Sequence, residues 1–304
     1  MDHEHILRWL IVCLFIGAVA ASCAELDEFA GVEIDDTSTL LGVAGLSEIM
    51  GVTITSADTY FTLTFASGTP PTNVILHAGY GGPATPAQAL YDAGDGNWTA
   101  YSSNTITLAG SYLKIRGDWR TAAGTYDSML YNSLAGAGYT CEFDGTLDYA
   151  ATNAYAYNEI FRGCTSVSAI NENPFQAITG TPAASMFYLA CYNMSGVTNL
   201  PTGFMDTSGL TGTPATYMFY LACSGMSGLA SGNITISSNV TFTAANLTTT
   251  AALTATFSGD ALWGGQLYWG TNVIHTVLTP TNDLNTFAGC TNMPDYGTID
   301  ANWK

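Results

Sequence analysis

The feature that most constrains this chain is a long internal repeat in its C-terminal half. Residues 179–196 read TGTPAASMFYLACYNMSG and residues 211–228 read TGTPATYMFYLACSGMSG, so 14 of 18 positions are identical at an offset of 32. A segment this short cannot bury its own apolar face, whereas several copies stacked side by side form a continuous core. The repeat therefore predicts an array in which each unit packs mainly against its sequence neighbours.

Weaker copies of the pattern extend the array in both directions. In each copy an aromatic residue is followed three positions later by Cys or Asp, and three positions after that by an apolar residue. This spacing places all three side chains on one face of a short helical turn. We predict that the aromatic and Cys or Asp positions form the repeat core: Phe161, Cys164, Tyr188, Cys191, Tyr220, Cys223, Phe257, Asp260, Phe287 and Cys290. The array is expected over residues 119–304, with a cap at its C-terminal end. Across residues 231–256 the sequence does not fix how the copies align.

The region before the repeats predicts a small antiparallel β domain at residues 48–118. The runs Tyr60–Phe65, Asn104–Leu108 and Tyr112–Arg116 alternate in polarity, as half-buried strands do. The acidic run Asp92–Asn97 lacks the alternating ligand spacing of a calcium loop, so it favours a hairpin turn.

The N-terminus has the layout of an export signal. Arg8 precedes the uncharged stretch Trp9–Ala21, which is shorter than the roughly 20 residues that a bilayer span needs. Val19–Cys23 resembles the lipobox of bacterial lipoproteins, which implies lipid attachment at Cys23; cleavage near Ala21 or Ala24 is the alternative. We expect a signal at residues 1–23 and an acidic tether at residues 24–47.

The charge balance disfavours one class of partner. The chain has 24 acidic and six basic residues, a formal net charge of −18. Such a field repels the phosphates of nucleic acids and of anionic lipid headgroups. We therefore expect no nucleic-acid partner, and a membrane association only through an N-terminal lipid or anchor.

Motifs of the common enzyme and metal sites are missing from the sequence. After the signal the chain contains only His77 and His275, neither beside a nucleophile motif, and no closely spaced ligand pair that would suit zinc. We expect no catalytic residue, no metal and no cofactor. The repeat cysteines are expected to stack as buried free thiols, although export would also permit disulfides.

Several segments carry a resemblance to a known family. Ile160–Val167 and Thr286–Met293 look like the "MFxGCxxL" units of BspA-like leucine-rich-repeat bacterial surface proteins. The segments Asn97–Tyr101, Thr105–Leu108 and Leu113–Gly117 are similar to the β domain that often precedes such repeats. The resemblance implies a mainly β fold with short helices, in which a small antiparallel β domain is followed by an irregular leucine-rich-repeat-type solenoid.

Three functions remain open at this level. The first is an exported, non-enzymatic surface protein for binding or adhesion, whose repeat array contacts a protein or glycan on a host or neighbouring cell. The second is a structural subunit of an extracellular filament, coat or virion, able to self-assemble and anchored by its N-terminal apolar segment. The third is a carbohydrate-binding accessory protein, which would depend on exposed rings among Trp98, Trp119, Trp263 and Trp269.

Overall fold

The computed structural model describes residues 60–77, 82–136, 138–175, 178–282 and 284–304. These residues belong to one compact unit that extends from Thr59 to Lys304. The expected signal, Cys23, the acidic tether and the first residues of the expected β domain lie outside the described residues.

The described residues are mainly β with short helices, as predicted. The two α-helices are α1 (Ala244–Thr250) and α2 (Ile274–Val277). The strands are β1 (Phe61–Gly68), β2 (Asn73–Ile75), β3 (Ala89–Asp92), β4 (Thr99–Ala100), β5 (Thr105–Thr107), β6 (Tyr112–Gly117), β7 (Tyr139–Asp144), β8 (Val167–Ile170), β9 (Thr179–Gly180), β10 (Gly209–Leu210), β11 (Ile234–Ile236), β12 (Leu267–Trp269) and β13 (Asn272–Val273). None of the helices in the described ranges combines the length and the apolar composition that crossing a bilayer requires.

The largest sheet has six strands in the order β4-β3-β6-β1-β7-β8. Its neighbours are antiparallel except β7 and β8, which are parallel. The alternating pattern places Phe61 opposite Ile115 and Leu63 opposite Leu113, and all four side chains are buried. Because β7 and β8 belong to the same sheet, the sheet continues past residue 118 into the expected repeat region.

The hairpin predicted at Asp92–Asn97 connects β3 and β4, which pair antiparallel. The Oδ1 atom of Asp92 accepts hydrogen bonds from the backbone N–H groups of Gly94, Asp95 and Gly96. Its Oδ2 atom accepts a hydrogen bond of 3.0 Å from the hydroxyl of Tyr112. The buried carboxylate is thus used to close the turn.

Consecutive tight turns replace regular helices in much of the C-terminal region. We call them the turn segments; within the described residues there are six, at 127–134, 154–163, 184–193, 216–225, 252–259 and 286–289. Two kinds of backbone hydrogen bond alternate along a segment. One N–H group donates to the carbonyl three residues earlier, as Asn158 does to Tyr155. The next donates to a carbonyl of the following turn segment, as Tyr157 does to Met186 at 2.8 Å. Parallel backbone hydrogen bonds therefore join each segment to the next.

The central offset of 32 is confirmed by these hydrogen bonds. The N–H groups of Phe187 and Cys191 donate to the carbonyls of Met218 and Ala222, which places Phe187 opposite Phe219 and Cys191 opposite Cys223. The rings of Tyr157, Phe187 and Phe219 stack in a column with centroids 5.3 and 5.1 Å apart.

The register of the outer copies differs from the predicted one by three residues. Phe161 donates its N–H to the carbonyl of Ala190, so it lies opposite Cys191, whereas the sequence pattern had matched it with Tyr188. Phe257 likewise lies opposite Cys223, since the N–H of Cys223 donates to the carbonyl of Thr256. Apolar residues recur every three or four positions, so the pattern fits a shifted register equally well and only the backbone pairing distinguishes the two.

The last turn segment is covered by the C-terminal residues. The N–H groups of Leu284 and Phe287 donate to the carbonyls of Asn302 and Trp303 at 2.7 and 2.9 Å. The Trp303 ring is fully buried, and its Nε1 donates to the carbonyl of Leu278 at 3.1 Å.

Candidate functional site

The turn segments expose one row of side chains to solvent and bury another. In the fourth segment Met218 and Phe219 are buried, Tyr220 and Leu221 are partly exposed, and Ala222 and Cys223 are buried again. One local turn spans four residues, so pairs of side chains face inward and outward alternately. Stacking the segments aligns the outward pairs into a continuous surface.

Tyrosine dominates this outer surface. We define the tyrosine face as the six outward tyrosines of the first four segments with two charged residues between them: Tyr131, Tyr155, Tyr188, Tyr192, Tyr217 and Tyr220, with Glu159 and Arg162. Tyr155 and Tyr217 are 52% and 43% exposed, which is unusual for such large rings. Tyr188 and Tyr220 stack with their centroids 5.1 Å apart, and Tyr217 meets Tyr220 edge to face at 5.2 Å.

Arg162 is held at the centre of the tyrosine face. Its guanidinium carbon lies 5.2 Å from the ring centroid of Tyr131 and 5.4 Å from that of Tyr192, on either side along the stack. Its Nη1 donates to Oε1 of Glu159 at 2.5 Å. The cation–π contacts and the ion pair fix a partly exposed arginine in position without burying it.

Tyr188 lies among other members of the tyrosine face. The pKa of its hydroxyl is raised above the ordinary value, first because it is partly buried and then because Tyr220 and Glu159 lie nearby. The hydroxyl therefore stays protonated at neutral pH and can both donate and accept a hydrogen bond. The surface combines flat apolar rings with polar edges, which suits recognition of another molecule.

The structure corrects the predicted role of Tyr188 and Tyr220. Both were expected in the repeat core, but both rings lie on the tyrosine face, and the adjacent Phe187 and Phe219 are buried instead. In each Phe-Tyr pair the side chain without a hydroxyl points inward, because a buried hydroxyl needs a partner. That contrast was the signal that the spacing argument missed, and Tyr131, Tyr155, Tyr192 and Tyr217 were missed with it.

The other predicted core residues are all buried: Phe161, Cys164, Cys191, Cys223, Phe257, Asp260, Phe287 and Cys290. The cysteines do not occupy one repeated position, since Cys191 and Cys223 share a column with Phe161, whereas Cys164 corresponds to Met194. Cys191 nevertheless has a cysteine neighbour on each side, Cys164 in the preceding copy and Cys223 in the next.

All five cysteines of the described residues are free and buried. The thiols of Cys164 and Cys290 donate to the carbonyls of Leu130 and Phe257 at 3.1 and 3.0 Å. Burial raises the pKa of Cys290 to about 12, so its reactive thiolate form is suppressed at neutral pH. These thiols pack as small apolar side chains.

The side chains of the two histidines of the described residues are both buried. Nε2 of His275 lies 2.7 Å from Oδ2 of Asp295. His77 stacks on Trp119 with centroids 6.4 Å apart, and burial lowers its pKa. In the part of the chain that the structure describes, no three His, Cys, Asp or Glu side chains cluster closely enough to hold a metal ion.

The four tryptophans considered for sugar binding do not form an exposed platform. Trp119 and Trp263 are buried. Trp98 and Trp269 are only partly exposed: the guanidinium of Arg116 covers the Trp98 ring at 4.1 Å, and Nε1 of Trp269 donates to the carbonyl of Val240 at 2.8 Å. The tyrosine face is therefore the stronger candidate for a binding surface. No protein-family model, no curated protein and no solved structure matches this chain significantly.

Proposed function

We propose that this chain is an exported, non-enzymatic surface protein whose tyrosine face binds a protein partner on a host or neighbouring cell. In this proposal the turn segments are an irregular leucine-rich-repeat-type solenoid of the BspA-like kind, and the sheet supports the solenoid. The N-terminal residues export the chain, and a lipid on Cys23 anchors it to the membrane.

The observation that carries the proposal is the exposed aromatic surface on a rigid backbone. Aromatic side chains and arginine are enriched among the residues that contribute most to protein–protein affinity. Here Tyr155, Tyr217 and Arg162 remain accessible while backbone hydrogen bonds fix the segments beneath them. Little conformational freedom would be lost on binding, which favours affinity.

The partner and the face can be tested together. We would screen the purified chain against extracellular host and bacterial proteins, with glycans as a parallel arm, and measure affinity for the best partner by surface plasmon resonance. A variant with Tyr155→Ser, Tyr188→Ser, Tyr217→Ser and Tyr220→Ser should bind at least about 10-fold more weakly, because each change removes an aromatic contact.

Tyr149→Ser is the matched control, since Tyr149 is also 43% exposed but is not part of the tyrosine face. It should retain the affinity of the parent chain. Full binding by the fourfold variant would refute the role of the face. Filaments formed by the purified protein would instead favour the structural-subunit alternative.

A further inference from the structure

A polar groove lies on the chain outside the tyrosine face. Its volume is about 600 Å³, within the range of small-molecule binding sites, and it is open to solvent. Three successive stretches of chain form it, at residues 199–203, 232–235 and 268–271. Parallel pairing of Asn199 with Ser231, and of β11 with β12, holds these stretches side by side.

Close backbone packing creates the depth of the groove. Gly232 has a left-handed φ of +105°, and a Cβ atom at this position would lie only 2.6 Å from the Cβ of Leu200. Any larger residue would push the two stretches apart. Leu200 and Pro201 are buried beneath the groove.

The lining is uncharged and rich in hydrogen-bonding groups. Exposed amides and hydroxyls come from Asn199, Thr202, Asn233, Thr235 and Thr271. The Oδ1 atoms of Asn199 and Asn233 already accept hydrogen bonds of 2.8 Å, from the hydroxyl of Ser231 and the backbone N–H of Gln266. The amide NH₂ groups of both residues are therefore left to donate to a ligand.

An aromatic ring completes the groove. Tyr268 is partly exposed, lines the groove and lies opposite Thr235 in the pairing of β11 with β12. A half-exposed tyrosine offers a flat apolar surface beside a polar hydroxyl. It is suited to the C–H faces of a ring that carries hydroxyl groups at its edges.

The charges of the chain select among ligands. An anionic ligand would meet no cationic side chain in the groove and would be repelled by the net charge of −18. A cationic ligand would find no carboxylate in the lining, and a lipid tail would lie against the exposed amides and hydroxyls. From these observations we propose that the groove binds a neutral oligosaccharide, whose hydroxyls bond to Asn199, Asn233 and the threonines while one sugar ring packs on Tyr268.

The test uses calorimetry with the full chain and defined neutral oligosaccharides: hexamers of glucose in α- and β-linkage, of mannose and of xylose, with an oligogalacturonate as the anionic comparison. We expect at least one neutral hexamer to bind and the anionic one not to bind. Tyr268→Ala and Asn233→Asp should each weaken that binding at least 10-fold, the second because it keeps the Oδ1 acceptor for Gln266 but replaces the donor NH₂.

Matched controls separate this site from the tyrosine face. Asn239→Asp changes an exposed asparagine outside the groove lining, and Tyr217→Ala removes an exposed ring of the tyrosine face; both should leave sugar binding unchanged. The groove variants should in turn keep the affinity for a protein partner, so either proposal can fail alone. Absence of binding to every neutral hexamer at millimolar concentration, or binding that survives both groove variants in folded protein, would overturn the proposal.

Discussion

Asp260 places an ionisable carboxyl group at a buried position of the repeat, where a charged group is unfavourable. It directly follows the fifth turn segment, at the position that corresponds to Cys290 after the sixth, and it is fully buried. Neither carboxylate oxygen makes a hydrogen bond of good geometry with the described residues. Burial raises the pKa of this carboxyl from 3.8 to about 8, so it is held largely neutral at pH 7.

This shift predicts a specific pH dependence of stability. Between pH 4 and pH 8 the folded state holds a proton on Asp260 that the unfolded state has released, so the stability falls as the pH rises through this window. Relative to Asp260→Asn, the free energy of unfolding of the parent should fall by at most about 1.4 kcal/mol per pH unit and level off above pH 8. Urea unfolding at several pH values measures this difference, and a constant difference from pH 4 to 8 would contradict it.

The neighbouring Phe219 and Tyr220 should differ sharply in their contribution to stability. Phe219 is 1% exposed and stacks on Phe187, so Phe219→Ala should lower the free energy of unfolding by about 3–5 kcal/mol. Tyr220 lies on the tyrosine face, so Tyr220→Ala should lower it by only about 1 kcal/mol. Chemical denaturation of both variants provides the comparison; equal losses would mean that the two rings are not divided between core and surface.

The turn segments depend on backbone conformations that most side chains disfavour. Left-handed residues recur at every fourth position, as Tyr155, Glu159 and Gly163 show with φ values of +61°, +51° and +71°. A non-glycine residue in this region costs roughly 1–2 kcal/mol. The hydrogen bonds between segments must offset that cost, so we expect each segment to depend on its neighbours for stability.

The C-terminal end of α1 allows this cost to be measured. Ala251 caps the helix in the left-handed conformation, with φ +49° and ψ +31°. Ala251→Gly should therefore raise the free energy of unfolding by about 1 kcal/mol. Ala245→Gly, at an exposed position inside the same helix, should lower it by about 0.5–1 kcal/mol. Thermal unfolding of both variants tests the sign, and a loss of stability in both would exclude a left-handed Ala251.

At the scale of the whole molecule, the sheet and the turn segments share one core. The buried apolar cluster includes Leu63 of β1, Phe161 of the second turn segment and Trp303 near the C-terminus. Phe61 and Phe161 stack with their centroids 5.7 Å apart, which joins the sheet directly to the segments. Unfolding of residues 60–304 should therefore be cooperative.

Truncation should reveal this cooperativity. A chain ending at Gly228 loses the acceptors for the N–H groups of Phe219, Leu221 and Cys223, which are carbonyls of residues 252–256. It also uncovers the apolar side chains of the fourth segment, so it should aggregate or melt well below the parent. A chain ending at Pro294, which loses the cover over the last segment and the Asp295 partner of His275, should be intermediate. Calorimetric melting of the series tests this order, and a parent-like melting temperature for the shortest chain would contradict it.

Local pattern in the sequence determined much of this architecture. The alternation of Tyr112–Arg116 predicted β6, the run Asp92–Asn97 predicted a hairpin, and the near-identity of residues 179–196 and 211–228 predicted the central offset of 32. Each depends on residues close in the chain or on a direct comparison of copies, where side-chain periodicity reports which face is buried.

Only the tertiary structure decided the register of the other copies and the direction of the tyrosines. A three-residue shift preserves the apolar spacing, so the sequence paired Phe161 with Tyr188 whereas the backbone hydrogen bonds pair it with Cys191. The missing hydroxyl favours Phe219 over Tyr220 inside, but Tyr157 is buried in the same column, so the direction of each tyrosine also depends on the turn geometry. The groove beside Asn233 and Tyr268 also arises from three stretches that meet only on stacking, so no local pattern could indicate it.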